Sequence, residues 1–297
     1  MNNQDQQTGI STKWLGILCG LGFIIIWSGF IVFARLGVTG NLTPYDITAL
    51  RFLVGSLVTL PFVILHWPRQ LSFGKISLLA LTGPGAIYSV LIYSGLDFSP
   101  AAFAGVFANA TMPIFTALFA WVWLGDRLNK STSVAIAVIL IGAVTVAYQS
   151  FNIANVDNLT GLPFFLAGSL ILAAYVVLLR LWKLTTKQTL AIINLPSAIF
   201  FLPIWFFFLP STINSAGFDE ILLQALFQGL GPSFLGLIFF TYAIQTLGPT
   251  PVAGFAAVVP ATATLLAIPV LGETLNLIEW SGVIIVTIGL TLLLLKR

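Results

Sequence analysis

The sequence predicts an all-α integral membrane protein with ten transmembrane helices. Hydrophobic residues make up 58% of the 297 positions and charged residues only 7%. A soluble domain carries about a quarter charged residues, so this chain has too few to cover a globular surface. Apolar runs that reach the roughly 20 residues needed for a helix to cross a bilayer recur along the whole sequence. They lie at 14–36, 45–66, 74–95, 100–124, 131–149, 161–182, 188–209, 221–245, 250–271 and 277–295.

The ends and connections of these runs leave no room for a soluble domain. Residues 1–13 are polar, and the run that follows is longer than the apolar region of a signal peptide, so we predict a retained first span. Cys19 is the only cysteine, which excludes intramolecular disulfides and cysteine-based metal clusters. We therefore expect any function to lie among the helices, and we predict no cofactor and no metal.

The basic residues predict the orientation, because cytoplasmic loops of membrane proteins carry an excess of Lys and Arg. Ten crossings place both termini on one side, and ten of the twelve basic residues then fall on that side. Arg35 and Arg51 fall towards the other side. We predict that both termini are cytoplasmic. The ten residues are Lys13, Arg69, Lys75, Arg127, Lys130, Arg180, Lys183, Lys187, Lys296 and Arg297.

The second half of the chain repeats landmarks of the first at an offset of 145–149 residues. Because each half has five spans, an odd number, the halves enter the membrane in opposite orientations, as in many secondary transporters. A duplication kept only as a packing scaffold is the alternative. We predict a tail at 1–13, a first repeat at 14–150, a linker at 151–159 and an inverted repeat at 160–297. The matching landmarks include Gly83-Pro84 with Gly231-Pro232, Tyr93 with Tyr242, Pro113 with Pro260, and Gly142 with Gly289.

These features resemble the drug/metabolite transporter superfamily, and within it the EamA-type ten-helix carriers. The resemblance rests on the ten spans, on a proline inside spans 4 and 9, on the LGD and LGE turns that end them, and on PYDITALRFLVGSLVTLPF at 44–62. The sequence is similar in length and pattern to bacterial inner-membrane exporters of aromatic amino acids. The resemblance implies a central cavity formed by spans 1–4 and 6–9, with spans 5 and 10 outside it or at a subunit contact, and alternating access. The implied partners are a small-molecule substrate and membrane lipid, without nucleic acid, for a monomer or homodimer in the inner membrane.

Charged groups are missing from the middle of the predicted spans. No Asp, Glu, Lys or His lies deep inside any of them, so an enzyme is not expected and neither is a buried carboxylate for proton coupling. The proton/drug antiporters among the four-helix relatives in this superfamily use a membrane-embedded glutamate for proton coupling. Span 1 here has Trp27 and Ser28 instead. We expect Arg35 to reach the interface. Arg51 lies five residues after Asp46 and has two interpretations. One is a structural role, in which it pairs or snorkels at the outer edge of the membrane, and the other is contact with the substrate.

Aromatic rings, hydroxyls and amides remain as candidate groups for a cavity, and they suit a small neutral or zwitterionic solute with an apolar part. Interfacial belts, lipid contact or helix-to-helix hydrogen bonds are the competing interpretations, above all for Asn109. The candidates are Trp27, Ser28, Tyr88, Tyr93, Asn109, Tyr175, Tyr242 and Gln245. The candidate hinges, where proline removes a helix hydrogen bond, are Pro84, Pro113, Pro232 and Pro260.

The expected function is outward transport of small organic solutes, chiefly amino acids with apolar or aromatic side chains. The resemblance alone implies the direction. A broadly selective efflux carrier for drugs and metabolites is a second hypothesis. A membrane receptor or scaffold that uses the same cavity is a third.

Overall fold

The computed structural model describes the backbone of residues 3–125, 130–148, 159–247 and 249–295. Within these ranges, side chains are described except at 3–12, 180, 186, 241, 244–245, 249–254 and 294–295. The predicted linker at 151–159 lies almost entirely outside the described residues. The described chain is all-helical, as the apolar runs predict.

Thirteen α-helices and two π-helical segments follow one another in the described chain, and their bounds agree closely with the predicted spans. The first half contains α1 Asn3–Val38, α2 Pro44–His66, α3 Phe73–Thr82, α4 Ala86–Phe98, α5 Ala101–Phe103, a π-helix Ala104–Ala110, α6 Met112–Leu124 and α7 Lys130–Tyr148. The second half contains α8 Leu162–Leu181, α9 Thr186–Phe208, α10 Phe218–Leu230, a π-helix Gly231–Leu235, α11 Gly236–Leu247, α12 Pro249–Leu271 and α13 Leu277–Leu295. Helix α1 starts eleven residues before the predicted span and includes most of the polar tail.

Eight helical stretches of the described chain are long and apolar enough to cross a membrane. Two shorter apolar helices, Phe255–Leu271 and Leu277–Leu293, follow them in the described chain. Large apolar side chains are exposed along these helices, among them Ile64, Phe206 and Phe208 at 70%, 73% and 81%. Such a surface is compatible with lipid and not with water. The protein is therefore a multi-pass membrane protein.

The helices lose their regular α-helical form at two Gly-Pro pairs, called the two breaks below; the first is a non-helical gap and the second a π-helical segment within a continuous helix. Helix α3 ends at Gly83, whose extended conformation (φ −73°, ψ −173°) suits the residue before a proline, and α4 starts only after Gly85. In the other half, Pro232 lies in the π-helix between α10 and α11. Because proline has no N–H, it leaves a carbonyl of the preceding turn without its helix partner. The two breaks therefore expose backbone polar groups inside the protein.

The other two candidate hinges differ from each other. Pro113 lies in the first turn of α6, directly after the π-helix and Thr111, whereas Pro260 lies inside the uninterrupted helix α12. The two spans cross closely, since a Cβ added at Gly105 would lie 3.2 Å from Pro260 Cα. The aligned prolines thus occupy unequal local structures.

Helices α7 and α13 pack antiparallel through glycines. A Cβ at Gly142 would lie 2.7 Å from the backbone N of Val286, and a Cβ at Gly289 would lie 2.9 Å from the backbone N of Ile139. Gly289 lies 147 positions after Gly142, and Val286 lies 147 positions after Ile139. The two contacts are therefore the same contact with the two halves exchanged. Small residues of this kind let two helix backbones approach closely.

Polar contacts link helix ends from both halves at the end of the bundle that carries Asp46, Asp97, Glu220 and Glu273, hereafter the acidic end. Arg35 Nε donates to Glu273 Oε1 at 2.8 Å, and the same guanidinium donates to the carbonyls of Leu96 and Asp97. Asn41 donates from its backbone N and its Nδ2 to Glu220 at 2.8 and 3.2 Å. The acidic end is therefore closed by contacts of α1 and of the connection that follows it with the second half.

Candidate binding site

A buried arginine joins the two helix breaks. Arg51, in the second turn of α2, is only 3% exposed. Its Nη2 donates to the carbonyl of Pro84 at 3.4 Å, and its Nε donates to Ser233 Oγ at 3.2 Å. Its Nη1 donates to Tyr93 Oη at 3.4 Å. One guanidinium thus contacts the break between α3 and α4 and the π-helix between α10 and α11.

The charge of Arg51 has no carboxylate partner among the described residues. Asp46, five residues away, instead accepts from Trp205 Nε1 at 2.9 Å, from Ser211 Oγ at 2.5 Å and from Thr212 N at 3.0 Å. Arg51 therefore does not pair with Asp46, and its buried side chain turns inward to Pro84, Tyr93 and Ser233.

Neutral groups surround the guanidinium and hold it in place. Tyr93 Oη, which accepts from Arg51, donates to Gln228 Oε1 at 3.2 Å. Gln228 Nε2 in turn donates to the carbonyl of Phe30 at 3.3 Å, and Gln224 Nε2 donates to the carbonyl of Phe33 at 2.6 Å. These side chains connect α4 and α10 to α1. They orient Tyr93 without neutralising the charge that it contacts.

The π-helix explains why Ser233 reaches Arg51. Pro232 cannot donate to the carbonyl of Gln228, four residues before it, and Ser233 Oγ donates to that carbonyl at 3.1 Å instead. The same oxygen accepts from Arg51 Nε. Gly55 on α2 allows this approach, because a Cβ there would lie 3.3 Å from Ser233 Cβ and from Asn194 Oδ1.

Aromatic rings lead along α1 to the arginine. The ring centroids of Phe23 and Trp27 are 5.2 Å apart, those of Trp27 and Phe30 are 6.3 Å apart, and those of Phe30 and Tyr93 are 5.8 Å apart. The guanidinium carbon of Arg51 lies 5.1 Å from the Phe30 centroid and 5.3 Å from that of Phe52. Both distances are within the range of cation–π attraction.

Two buried hydroxyls lie beside the break between α3 and α4. A Cβ at Gly85 would lie 2.7 Å from Ser197 Oγ, and a Cβ at Gly83 would lie 3.0 Å from Tyr175 Cε2. Ser197 Oγ has no hydrogen-bond partner among the described residues. Buried polar groups without partners are rare and mark places where another molecule or a different conformation supplies the partner.

The structure brings four of the eight predicted site residues to this region. Tyr93 contacts Arg51 directly, and Trp27 reaches it through Phe30. Tyr88 is buried on the same helix as Tyr93, five residues before it. Tyr175 lies at the break itself.

The other four predicted residues lie elsewhere or are not described. Ser28 is buried, and its hydroxyl donates to the carbonyl of Val259 in α12 at 3.4 Å. Asn109 and Tyr242 are half-buried, and their side chains make no hydrogen bond to a described residue. The side chain of Gln245 lies outside the described part of the chain.

The sequence interpretation missed Gln224, Gln228, Ser233 and Asn194. The spacing of the two glutamines was a usable signal, because residues four apart share one face of a helix and two amides on one face of an apolar span need partners. Ser233 directly follows the Gly-Pro pair and could have been found with it. Asn194 offered only its polarity within an apolar run.

Relatives of this chain are transporters by name. An uncharacterized transporter of Clostridium kluyveri is 27% identical over 277 residues, which cover 86% of this chain and 84% of the relative. The uncharacterized inner membrane transporter YedA of Escherichia coli is 25% identical, with 92% and 88% covered. A probable terminal-alkyne amino-acid exporter of Streptantibioticus cattleyicolor is 24% identical, with 84% and 83% covered.

The fold is also similar to that of a protein of known crystal structure. The two chains are 22% identical and superpose with a TM-score of 0.62, over 95% of this chain and 99% of the other. The model of the EamA-like transporter family matches residues 14–148 and 159–295, which together make up most of the chain. The helices, their breaks and the buried polar cluster therefore belong to a membrane transporter, and this chain is a member of the EamA-like transporter family.

Proposed function

We propose that the protein is a bacterial inner-membrane carrier that exports small organic solutes, chiefly amino acids with apolar or aromatic side chains. In this proposal ten spans form two inverted five-helix repeats with both termini in the cytoplasm. The solute moves by alternating access, without a proton-binding carboxylate in the membrane. The name of the Streptantibioticus relative, a probable amino-acid exporter, supports the solute class.

Three observations support the inverted repeats. The family model matches the chain twice, once in each proposed half. The aligned pairs Gly83-Pro84 and Gly231-Pro232 both lie where a span departs from the regular α-helix. The contacts of α7 with α13 are exchanged when the halves are exchanged, as expected for two units related by a twofold axis. Substrate sites of such transporters lie where broken helices of the two halves meet.

The observation that carries the solute class is the chemistry around the two breaks. The region offers aromatic rings along α1, hydroxyls of Tyr93 and Ser233, and amides of Gln228 and Asn194. Rings and neutral hydrogen-bonding groups suit a solute that has an apolar part and a polar head. A highly charged solute such as a sugar nucleotide would need several cationic groups.

The charged groups support transport without buried proton coupling. Each described carboxylate side chain lies in the first or last turn of a helix or in a connection, at Asp46, Asp97, Asp219, Glu220, Glu273 and Glu279. The contacts that close the acidic end are expected of a conformation shut towards the outside. Alternating access then requires that they break during each cycle.

Flux into proteoliposomes that contain only the purified protein tests this proposal. Saturable movement of phenylalanine or tryptophan, present without a pH gradient, is the expected result. Movement of chemically diverse drugs with no preference for amino acids would favour the broadly selective efflux carrier. If no solute of either class moves although the purified protein is folded, the receptor or scaffold hypothesis replaces transport. Flux that stops when the pH gradient is abolished would refute the uncoupled mechanism.

A further inference from the structure

We propose that the guanidinium of Arg51 binds the carboxylate group of the carried solute. The inference rests on the proposed function in that it takes the protein to carry a small organic solute. It adds the chemical group by which the solute is recognised. Organic carboxylates, and not their amides or amines, are then the substrates.

The hydrogen bonds of Arg51 leave donors for an anion. A guanidinium has five N–H donors, and three of those of Arg51 are engaged with described residues, at 3.2–3.4 Å. Hydrogen bonds from a cation to an anionic oxygen are typically about 2.7–2.9 Å long and often bidentate on a carboxylate. The neutral oxygens of Pro84, Tyr93 and Ser233 are therefore weak acceptors that a carboxylate would outcompete.

The two arginines of the proposed outer half differ in a way that favours this assignment. Arg35 is neutralised by Glu273, and both side chains are partly exposed, at 16% and 20%. Arg51 is more deeply buried, yet no described carboxylate neutralises it. An unneutralised buried cation is costly in a membrane and is a mark of a functional site. A solute carboxylate supplies the missing negative charge.

The surroundings of Arg51 also fit the rest of an aromatic amino acid. Phe30 lies against the guanidinium, and Trp27 lies beyond Phe30 along α1. A carboxylate at Arg51 would place the solute's apolar part near these rings. Because Arg51 touches both helix breaks, a carboxylate that takes its N–H groups also weakens a contact between the halves. Binding is thereby linked to movement of the breaks.

Ligand-dependent thermal stabilisation of the purified wild-type protein tests the assignment with four probes. Phenylalanine and 3-phenylpropionate carry a carboxylate, whereas phenylalaninamide and 2-phenylethylamine do not. We expect saturable stabilisation by the two carboxylates, with about 10- to 100-fold weaker binding of the other two probes, the range typical of a charged hydrogen bond. Equal binding of phenylalanine and its amide would overturn the assignment, as would binding of neither carboxylate.

Variants test whether the preference for carboxylates depends on Arg51. Arg51→Gln should abolish the preference for carboxylates, and Arg51→Lys, which keeps the charge but loses the planar fork, should retain part of it. The matched control is Arg69→Gln, the same loss of charge at an exposed position just beyond α2, which should keep the full preference. An unchanged preference in Arg51→Gln would refute the proposal.

Failure of this inference and failure of the proposed function give different results. If the wild type moves phenylalanine and binds its amide equally well, the exporter proposal stands and the carboxylate site falls. If 3-phenylpropionate binds in an Arg51-dependent manner while no amino acid is transported, the site stands and the amino-acid proposal falls. Because the wild-type comparison requires no variant, a folding defect of Arg51→Gln would not remove the test.

Discussion

Replacement of Glu273 by glutamine should open the acidic end. Glu273 accepts from Arg35 Nε and from the backbone N of Ala101, each at 2.8 Å, and both donors belong to the first half of the chain. A buried hydrogen bond to a charged group contributes about 1.5–3 kcal/mol. Exposed ion pairs contribute about 0–1 kcal/mol. Because these side chains are 16–20% exposed, we take a total of about 1.5 kcal/mol for the two contacts.

That free energy predicts the size of the shift. A difference of about 1.4 kcal/mol changes an equilibrium tenfold, so the ratio of open to closed molecules should rise about tenfold. Spin labels at Thr39→Cys and Thr274→Cys, two exposed positions beside the ion pair, report the opening as a distance distribution. The background is Cys19→Ser, because Cys19 is the only native cysteine.

Glu279 provides the matched control for this experiment. Its Oε2 accepts from the backbone N of Asn276 at 2.9 Å, a local contact at the start of α13. Glu279→Gln therefore removes a carboxylate six residues from Glu273 without breaking a contact between the halves. Equal distance distributions in the wild type and Glu273→Gln would refute the idea that this ion pair holds the acidic end closed, as would equal shifts in both variants.

Three further predictions concern packing, capping and binding. Gly142→Leu should lower the melting temperature by several degrees or prevent folding, because its Cβ would lie 2.7 Å from the backbone N of Val286. The control is Gly74→Ala, which should have little effect because Gly74 has open space around it. Asp46→Asn should destabilise the protein by about 1–3 kcal/mol, the cost of weakening several hydrogen bonds to a buried charge, measured by unfolding in denaturant; unchanged stability would contradict this. Tyr93→Phe should weaken binding of 3-phenylpropionate by about 3- to 10-fold without a change in helical content, because a neutral hydrogen bond contributes about 0.5–1.5 kcal/mol. Unaltered binding would show that the Tyr93 hydroxyl does not position Arg51.

The sequence predicted the helices well because apolar run length and proline position act locally. The run at 45–66 became α2, Pro44–His66, whose start is fixed by a capping box in which the Thr43 side chain and Asp46 bond to each other's backbone N. The breaks followed from Gly83-Pro84 and Gly231-Pro232 for the same reason. The equal treatment of Pro113 and Pro260 as hinges found less support, because Pro260 lies within a continuous helix.

The site was less predictable because it depends on which helices meet. Arg51 lies near a helix end in the sequence, and only the approach of α4 and α10 shows that its long side chain turns inward to Tyr93 and Ser233. Periodicity gives the face of a helix but not its partner. Asn109, the one amide within span 4, makes no hydrogen bond to a described residue, so the competing interpretation of a helix-to-helix hydrogen bond has no support and its place in the cavity stays a prediction.

The packing of α7 against α13 has a consequence for the ancestry of the fold. The contact of Gly142 with Val286 becomes that of Gly289 with Ile139 when the numbers are exchanged across the halves. An interface with this property is self-complementary, as in a symmetric homodimer. Two copies of a single five-helix chain, inserted in opposite directions, could have formed it before any fusion. The same glycines are now used within one chain, which leaves them unavailable for contact with a second molecule.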